Sequence, residues 1–224
     1  MNVIPVAAEA LSAQARPVIR DLLVALVEAK HFIGFQYASW CVCAPSIEAD
    51  IALANMAQEE VGHAMVLGGL LGDDFRHGVL SKDTVVTWNT WPAQSADAPT
   101  MIPSWTDMIV ACLAREAAAS ATLEALRSSN YARLAQRATK MMQEERFHLV
   151  FGIETARTFG SMPRETRLGL AAGYQRSLAE AETRLASVEH LSRLTALGVL
   201  APEAVRVRAQ YLHEVTRRLE AAWG

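Results

Sequence analysis

The chain has 224 residues, of which 51% are hydrophobic and 20% charged. A chain of this length and composition can bury one sizeable core, so we expect a single domain over residues 1–224. The high apolar content and a net charge of −3 exclude a disordered chain. The balance of 21 basic against 24 acidic residues gives no general attraction to nucleic acid or to an anionic membrane. Few glycines (12) and prolines (8) favour helices over a turn-rich β fold.

Apolar residues recur at helical spacing in six stretches of the sequence. The first runs from about residue 17 to 43, and the second starts near Ser46 and ends at Leu71. The third starts at Ser104, a residue type that caps helices well, and ends near Ser128. The last three stretches cover about 131–159, 163–190 and 202–224.

A long connection of about thirty residues, from Gly72 to Pro103, separates the second and third helices. Such a crossover lets the third helix start at the same end as the second and run parallel to it, as in ferritin-like bundles. We therefore predict an all-α fold, a ferritin-like four-helix bundle over about 17–160 with additional C-terminal helices over 163–224.

The N-terminal segment has no basic region, and Glu9 interrupts its apolar run, so it is not a convincing signal peptide. The longest uncharged stretch near it, His31 to Ile47, includes several polar residues and Pro45 and is a poor membrane span. Three cysteines cannot form a disulfide framework. We expect a cytoplasmic protein without a membrane or nucleic-acid partner.

Two Glu-x-x-His pairs are the first sign of chemistry: Glu60 with His63 on the second helix, and Glu145 with His148 on the fourth. Residues three apart lie on one face of a helix, so a carboxylate and an imidazole at this spacing can bind one metal ion together. One such pair arises often by chance. Two pairs, each on the second helix of a helical hairpin, are much stronger evidence for a metal site.

The first helix of each hairpin supplies one more acid at a similar distance. Glu28 precedes Glu60 by 32 residues, and Glu116 precedes Glu145 by 29. This is the pattern of the di-iron and di-manganese carboxylate proteins built on ferritin-like bundles. The predicted metal ligands are therefore Glu28, Glu60, His63, Glu116, Glu145 and His148.

The neighbours of these four glutamates at helical spacing are mostly apolar. A bare carboxylate on an apolar stripe would cost several kcal/mol, and two divalent ions would cancel the four charges. Carboxylates with one imidazole per metal suit iron or manganese better than zinc, so we predict two iron ions, with manganese as the alternative. The adjacent Glu144 is expected to be a boundary residue rather than a ligand.

Other interpretations of these residues stay open. Any one of the six is also explained as an ordinary helix acid or histidine satisfied by solvent or by a basic residue. His31 is either an extra ligand or catalytic pocket residue, or a residue that packs beside the site, and we favour packing. Ser120 either relays a proton to bound oxygen or bonds to the carbonyl four residues back, and we favour the latter.

At these residues the chain resembles the phenylacetate-catabolism oxygenase family, the two ferritin-like subunits of phenylacetyl-CoA epoxidase. The resemblance rests on Ser39-Trp40-Cys41, on the segment 44–55 (APSIEADIALAN), and on Glu-Glu-Val-Gly-His at 59–63 and Glu-Glu-Arg-Phe-His at 144–148. The last two motifs look like those of the catalytic subunit, whereas the family's non-catalytic subunit has degraded ligands.

The resemblance implies a di-iron monooxygenase in which the six predicted ligands hold iron. Such an enzyme uses O2 as co-substrate, adds one oxygen atom to a small organic substrate such as an acyl-CoA, and receives two electrons from a separate reductase. It also implies a homo-oligomer or pairing with a related subunit.

Three other functions compete with the oxygenase. The same bundle supports iron oxidation for storage or a peroxidase or dimanganese catalase activity, a tRNA-modifying hydroxylase shares the ligand pattern, and a scaffold subunit would need no metal at all. The net charge of −3 argues against tRNA. Intact Glu-x-x-His pairs argue against the scaffold.

Overall fold

A computed structural model describes residues 11–70 and 100–223, and in these ranges the chain is helical without strands, which confirms the predicted all-α class. The helices are α1 (Ala15–Trp40), α2 (Ile47–Gly69), α3 (Trp105–Leu126), α4 (Ala132–Thr158), α5 (Arg164–Leu185), α6 (Ser187–Ala196) and α7 (Ala204–Trp223), with a 3-10 turn at Phe159–Ser161. Most of the predicted crossover between α2 and α3 lies outside the described residues.

Serine side chains begin two of the bundle helices, as the sequence predicted. The Ser46 hydroxyl accepts a hydrogen bond from the backbone N–H of Ala49 at 3.2 Å, and Ser104 accepts one from Asp107 at 3.3 Å. Each satisfies one of the N–H groups that a helix start leaves without a helical partner. These caps fix where α2 and α3 begin.

The predicted fifth helix is wrong in one respect, because it is divided into α5 and α6 rather than running unbroken to His190. Ala186 lies between them with a left-handed backbone (φ 43°). An isolated left-handed residue ends a helix, because the following N–H groups no longer align with the helical carbonyls. The break lets α6 turn and pack on α1.

The helices pack as a bundle with two hairpins, α1–α2 and α3–α4. Contacts of α1 with α3 and of α2 with α4 join the hairpins, so the four helices surround one interior. The C-terminal helices cover the outside, with α5 and α7 packed on α3 and α7 also on α4. None of the helices in 11–70 and 100–223 is both long and apolar enough to span a lipid bilayer.

Two apolar clusters fill the bundle, one towards each end. The first includes Val27, Ala64 and Met142, and the second includes Ile33 and Leu149. On α1, α2 and α4 the sequence passes from one cluster to the other within about two turns, and on α3 it does so between neighbouring residues. The polar residues discussed below lie at these junctions, in the middle of the bundle.

Gly34 brings α1 close to α2 beside Glu60. A Cβ added at Gly34 would lie 3.2 Å from the Cβ of Glu60 and 3.3 Å from the carbonyl oxygen of Ala57. We expect Gly34→Val to lower the free energy of unfolding by about 1–3 kcal/mol, because the helices must move apart.

Urea denaturation measures this effect, and Gly62→Ala is the matched control on α2. A Cβ at Gly62 meets nothing within 4 Å among the described residues, so this change should raise stability by up to about 1 kcal/mol. A Gly34→Val protein as stable as the parent would contradict the close approach of the two helices.

Candidate metal centre

A cluster of buried polar side chains lies where the four bundle helices meet. Each helix contributes two members, and all are at most 4% exposed. They are Lys30 and Tyr37 from α1, Glu60 and His63 from α2, Glu116 and Ser120 from α3, and Glu145 and His148 from α4. Five of the six predicted ligands therefore come together.

His148 faces two of the carboxylates with its Nδ1 atom. That atom lies 3.2 Å from Glu60 Oε1 and 3.3 Å from Glu116 Oε1. Ligand atoms of Glu60, Glu145 and His148 also lie within 4.8 Å of one another, close enough to bind one ion. We refer to Glu60, Glu116, Glu145 and His148 as the His148 side of the cluster.

His63 faces the same interior from α2. Its Nδ1 atom lies 3.0 Å from Glu145 Oε1 and 3.6 Å from Glu60 Oε1. The two imidazole rings are 6.3 Å apart between centroids. We refer to His63, Glu60 and Glu145 as the His63 side, which shares its two carboxylates with the His148 side.

A second pair of carboxylates holds the outer nitrogens of both rings. Glu59 Oε2 lies 2.6 Å from His148 Nε2, and Glu144 Oε2 lies 2.6 Å from His63 Nε2. Each bond crosses between α2 and α4, because the carboxylate belongs to one helix and the imidazole to the other. A carboxylate on the outer nitrogen of a metal-binding histidine fixes the ring orientation and directs the other nitrogen inward.

Glu28, predicted to be a ligand, does not join the cluster. It is exposed on α1, where it interacts electrostatically with Arg184 of α5. Glu28 is two residues before Lys30, and two residues on a helix differ by about 200° in direction, so only one of them can point inward. The prediction that α1 supplies a carboxylate to the metal is corrected: α1 supplies an ammonium group instead.

Lys30 is fully buried and bonds to two of the carboxylates. Its Nζ atom donates to Glu60 Oε1 at 2.9 Å and to Glu145 Oε1 at 2.5 Å. A buried ammonium without partners would be very costly, whereas two carboxylates compensate its charge. Lys30 is not among the residues that the sequence predicted for the site.

Two hydroxyl groups orient the carboxylates. Ser120 donates to Glu145 Oε2 at 2.7 Å, and Tyr37 donates to Glu116 Oε1 at 2.8 Å. The preferred sequence interpretation of Ser120, a bond to the carbonyl four residues back, is therefore wrong. Ser120 is a member of the cluster, and a role in proton transfer stays a prediction.

His31, the other residue offered for a catalytic role, is half-buried on α1 next to Lys30. Burial lowers the pKa of His31, so its imidazole is neutral at neutral pH. Whether it takes part in the chemistry stays a prediction.

The cations of the cluster are strongly stabilised by its carboxylates. Burial lowers the pKa of His148, but the carboxylates, led by Glu116, raise it overall to about 12. Burial likewise lowers the pKa of His63, and Glu145 and Glu60 raise it overall to about 9. The same carboxylates hold the pKa of Lys30 above its ordinary value against the effect of burial.

The cationic groups in turn lower the pKa values of two of the three carboxylates. Burial raises the pKa of Glu145, but Lys30 and the two imidazoles lower it overall to well below its ordinary value. Glu60 also has a lowered pKa, because Lys30 offsets the effect of burial. Burial raises the pKa of Glu116 above its ordinary value even though His148 faces it. In the metal-free cluster three carboxylates thus face three cationic groups.

Four buried atoms of the cluster have no hydrogen-bond partner within the described ranges. They are Glu60 Oε2, Glu116 Oε2, His63 Nδ1 and His148 Nδ1. Buried polar atoms without partners are uncommon and need an explanation. All four are atoms that bind metals, and they belong to a donor set of carboxylates and imidazoles that suits iron or manganese. The residues present therefore fit a metal ion.

We predict that the metal-free protein loses stability as the pH rises from 6.5 to 8. His63 and His148 have folded-state pKa values above the unfolded value near 6.5, so the stability that they contribute is complete below that pH and is lost above it. The loss should reach about 2 kcal/mol per imidazole, at about 1.4 kcal/mol per pH unit and bound proton.

Urea denaturation in the presence of a chelator at both pH values measures this loss. A His63→Gln variant should show a smaller decrease, since it lacks one of the two titrating rings. Stability that is constant or increases over this interval would contradict the charge arrangement of the cluster.

The fold and the site together define a class of protein: an all-α bundle with a buried carboxylate–histidine cluster that can hold a metal ion. A model of the phenylacetic acid catabolic protein family matches residues 1–223, so the chain belongs to this family, as its motifs predicted. Comparison with curated proteins gives no match. The family contains subunits of phenylacetyl-CoA oxygenases.

Proposed function

We propose that this protein is the oxygen-activating, metal-binding subunit of an oxygenase that adds one atom of O2 to an organic substrate. The observation that carries the proposal is the pair of imidazoles whose Nδ1 atoms face buried carboxylates in the middle of the bundle. Family membership supports an acyl-CoA of the phenylacetyl-CoA type as substrate.

The metal ligands that we propose are Glu60, Glu116, Glu145 and His148, with His63 facing Glu60 and Glu145 from the other side. Iron is the proposed metal and manganese the alternative, because both accept several carboxylates with few imidazoles. Glu28 is not proposed as a ligand, because it is exposed on the outside of α1.

Iron bound here would supply the electrons that dioxygen must receive before an oxygen atom can be transferred. The chain's own residues prepare the site for this chemistry. The outer carboxylates Glu59 and Glu144 fix the imidazoles with Nδ1 inward. The hydroxyls of Tyr37 and Ser120 each hold one carboxylate oxygen, and both carry a proton beside the ligands.

Apolar side chains surround the cluster and exclude water from it. Leu113, Leu149 and Ile153 lie on one side, and Leu26 and Leu67 on the other, all at most 5% exposed. A dry site strengthens electrostatic interactions and protects reactive oxygen species from side reactions with water.

Family membership implies a multi-subunit oxygenase complex, and we propose pairing with a related subunit or a second copy, with electrons from a separate reductase. Exposed apolar side chains on α2 and α4 support such an interface. They are Ile47, Ile51, Met65, Phe147 and Val150, each at least 48% exposed.

Anaerobic loading with Fe(II), reduction and exposure to O2 test the proposed activity. We expect the iron-loaded protein to consume O2 faster than the metal-free protein, and phenylacetyl-CoA with a reductase to give an oxygenated product. An iron-loaded, reduced protein that does not react with O2 under any electron donor would rule out the oxygenase.

The second candidate is a non-catalytic scaffold subunit of the same kind of complex. It is favoured by Lys30 and Glu28, since an ammonium on α1 neutralises the cluster without metal and the expected α1 carboxylate faces outward. Metal analysis of protein purified from iron-supplemented cells separates the two candidates, because a scaffold should contain none.

A further inference from the structure

We infer that the centre binds one divalent metal ion, on the His148 side, and that the ammonium of Lys30 takes the place of a second ion on the His63 side. This inference rests on the metal binding in the proposed function and departs from the two ions that the sequence predicted.

Lys30 occupies the carboxylate oxygens that an ion on the His63 side would bind. The three donor atoms of the His63 side are His63 Nδ1, Glu60 Oε1 and Glu145 Oε1. Lys30 Nζ is bonded to the last two of these atoms, at 2.9 and 2.5 Å. An ion bound to the same oxygens would have to displace the ammonium, which α1 holds in a fully buried position.

The α1 helix offers this side no carboxylate in exchange. The further carboxylate that the sequence predicted on α1 is Glu28. Glu28 is exposed on α1 and interacts electrostatically with Arg184, and it is not a member of the cluster. The His63 side therefore has both an ammonium at its oxygens and one anionic donor fewer.

The His148 side shares the Glu60 and Glu145 oxygens but has one more anionic donor. Glu116 belongs to this side alone and adds a third carboxylate, 3.3 Å from His148 Nδ1. Both Glu116 Oε2 and His148 Nδ1 are buried without hydrogen-bond partners among the described residues. Lys30 bonds to Glu60 and Glu145, which the two sides share, and does not bond to Glu116 or His148, so an ion on this side has a carboxylate and an imidazole that the ammonium does not occupy.

The number of ions is measured by titrating metal-free protein with Co(II) and following the visible absorption of the bound ion. We expect one equivalent to bind tightly. Mn(II) in place of Co(II) should give the electron paramagnetic resonance spectrum of an isolated ion rather than that of an exchange-coupled pair. Neither measurement depends on catalytic activity.

The side that binds is identified with two matched variants. Glu59→Gln weakens the support of His148, and Glu144→Gln weakens that of His63; both side chains are partly exposed (41% and 35%), so both proteins should fold. We expect Glu59→Gln to weaken Co(II) binding about 10- to 100-fold, and Glu144→Gln to change it by less than about 3-fold.

The outcomes separate this inference from the proposed function. One equivalent, with the stronger effect in Glu59→Gln, supports the inference. Two equivalents, a coupled manganese pair, or the stronger effect in Glu144→Gln overturn it and leave the oxygenase intact. Failure to bind Co(II), Mn(II) or Fe(II) would overturn both and favour the scaffold subunit.

Discussion

Replacement of Lys30 by methionine is expected to lower the free energy of unfolding of the metal-free protein by about 3–5 kcal/mol. Methionine has a similar length but no charge, so Glu60 and Glu145 would lose the ammonium that both of them bind at the centre of the bundle. Buried carboxylates without that compensation would have to accept protons or admit water. Urea denaturation with a chelator present measures the loss.

A divalent ion should reverse part of this loss. With Lys30 removed, the His63 side no longer holds an ammonium, and a metal ion can neutralise Glu60 and Glu145 in its place. We therefore expect Mn(II) to stabilise Lys30→Met more than it stabilises the parent protein.

Lys140→Met is the matched control, because Lys140 is exposed on α4 and the same substitution there should change stability by at most about 0.5 kcal/mol. If Lys30→Met and Lys140→Met were equally stable without metal, Lys30 would not compensate the buried carboxylates, and the assignment of its role would fail.

The sequence predicted the Glu-x-x-His pairs best, because two features of the sequence agree there: the spacing of the pair and the apolar residues around it. Glu60 and His63 share a helix face through their spacing, and their neighbours Leu53, Met56 and Leu67 are apolar at the same period; all three are buried. The helical spacing of the pair and the apolar character of its neighbours therefore indicate the same buried face. The same holds for Glu145 and His148 on α4. The environment of these pairs could therefore be read from the chain alone.

The prediction that Glu28 is a metal ligand rested on weaker evidence, and the structure shows why this prediction was wrong. The similar separations in the two hairpins identified α1 as the partner helix but did not fix the phase of its inward face. That face passes through Leu23, Val27, Lys30 and Ile33, all buried. Lys30 is a basic residue on an otherwise apolar helix face. A charged residue at such a position indicates a buried polar site whether it is acidic or basic, so Lys30 could have been identified from the sequence.

The residues that hold the cluster together were beyond prediction for another reason. Glu59 and Glu144 bond to imidazoles on the opposite helix, and Tyr37 bonds to a carboxylate on α3. Such contacts depend on how α1, α2, α3 and α4 are rotated against one another, which spacing along a single helix does not determine. Glu144 was correctly placed at the boundary, but its bond to His63 was not foreseen.

His148→Gln should reduce both metal affinity and iron-dependent O2 consumption by at least about 100-fold. Changing a group that only supports a metal-bound histidine commonly costs about 10- to 100-fold, so changing the imidazole itself should cost at least as much. Glutamine keeps most of the volume and can still bond to Glu59, but it puts a weakly donating amide where His148 Nδ1 faces Glu60 and Glu116.

Calorimetric titration with Co(II) and an oxygen electrode measure the two effects, with His213→Gln on the exposed face of α7 as the control that should match the parent protein. Circular dichroism shows whether the variant is folded, so a loss of binding in a folded protein is a loss of the ligand. If His148→Gln binds Co(II) as the parent does, the carboxylates hold the ion without this imidazole. His148 would then not be a metal ligand, and the assignment of the ion to the His148 side would fail, because Glu60 and Glu145 are shared with the His63 side.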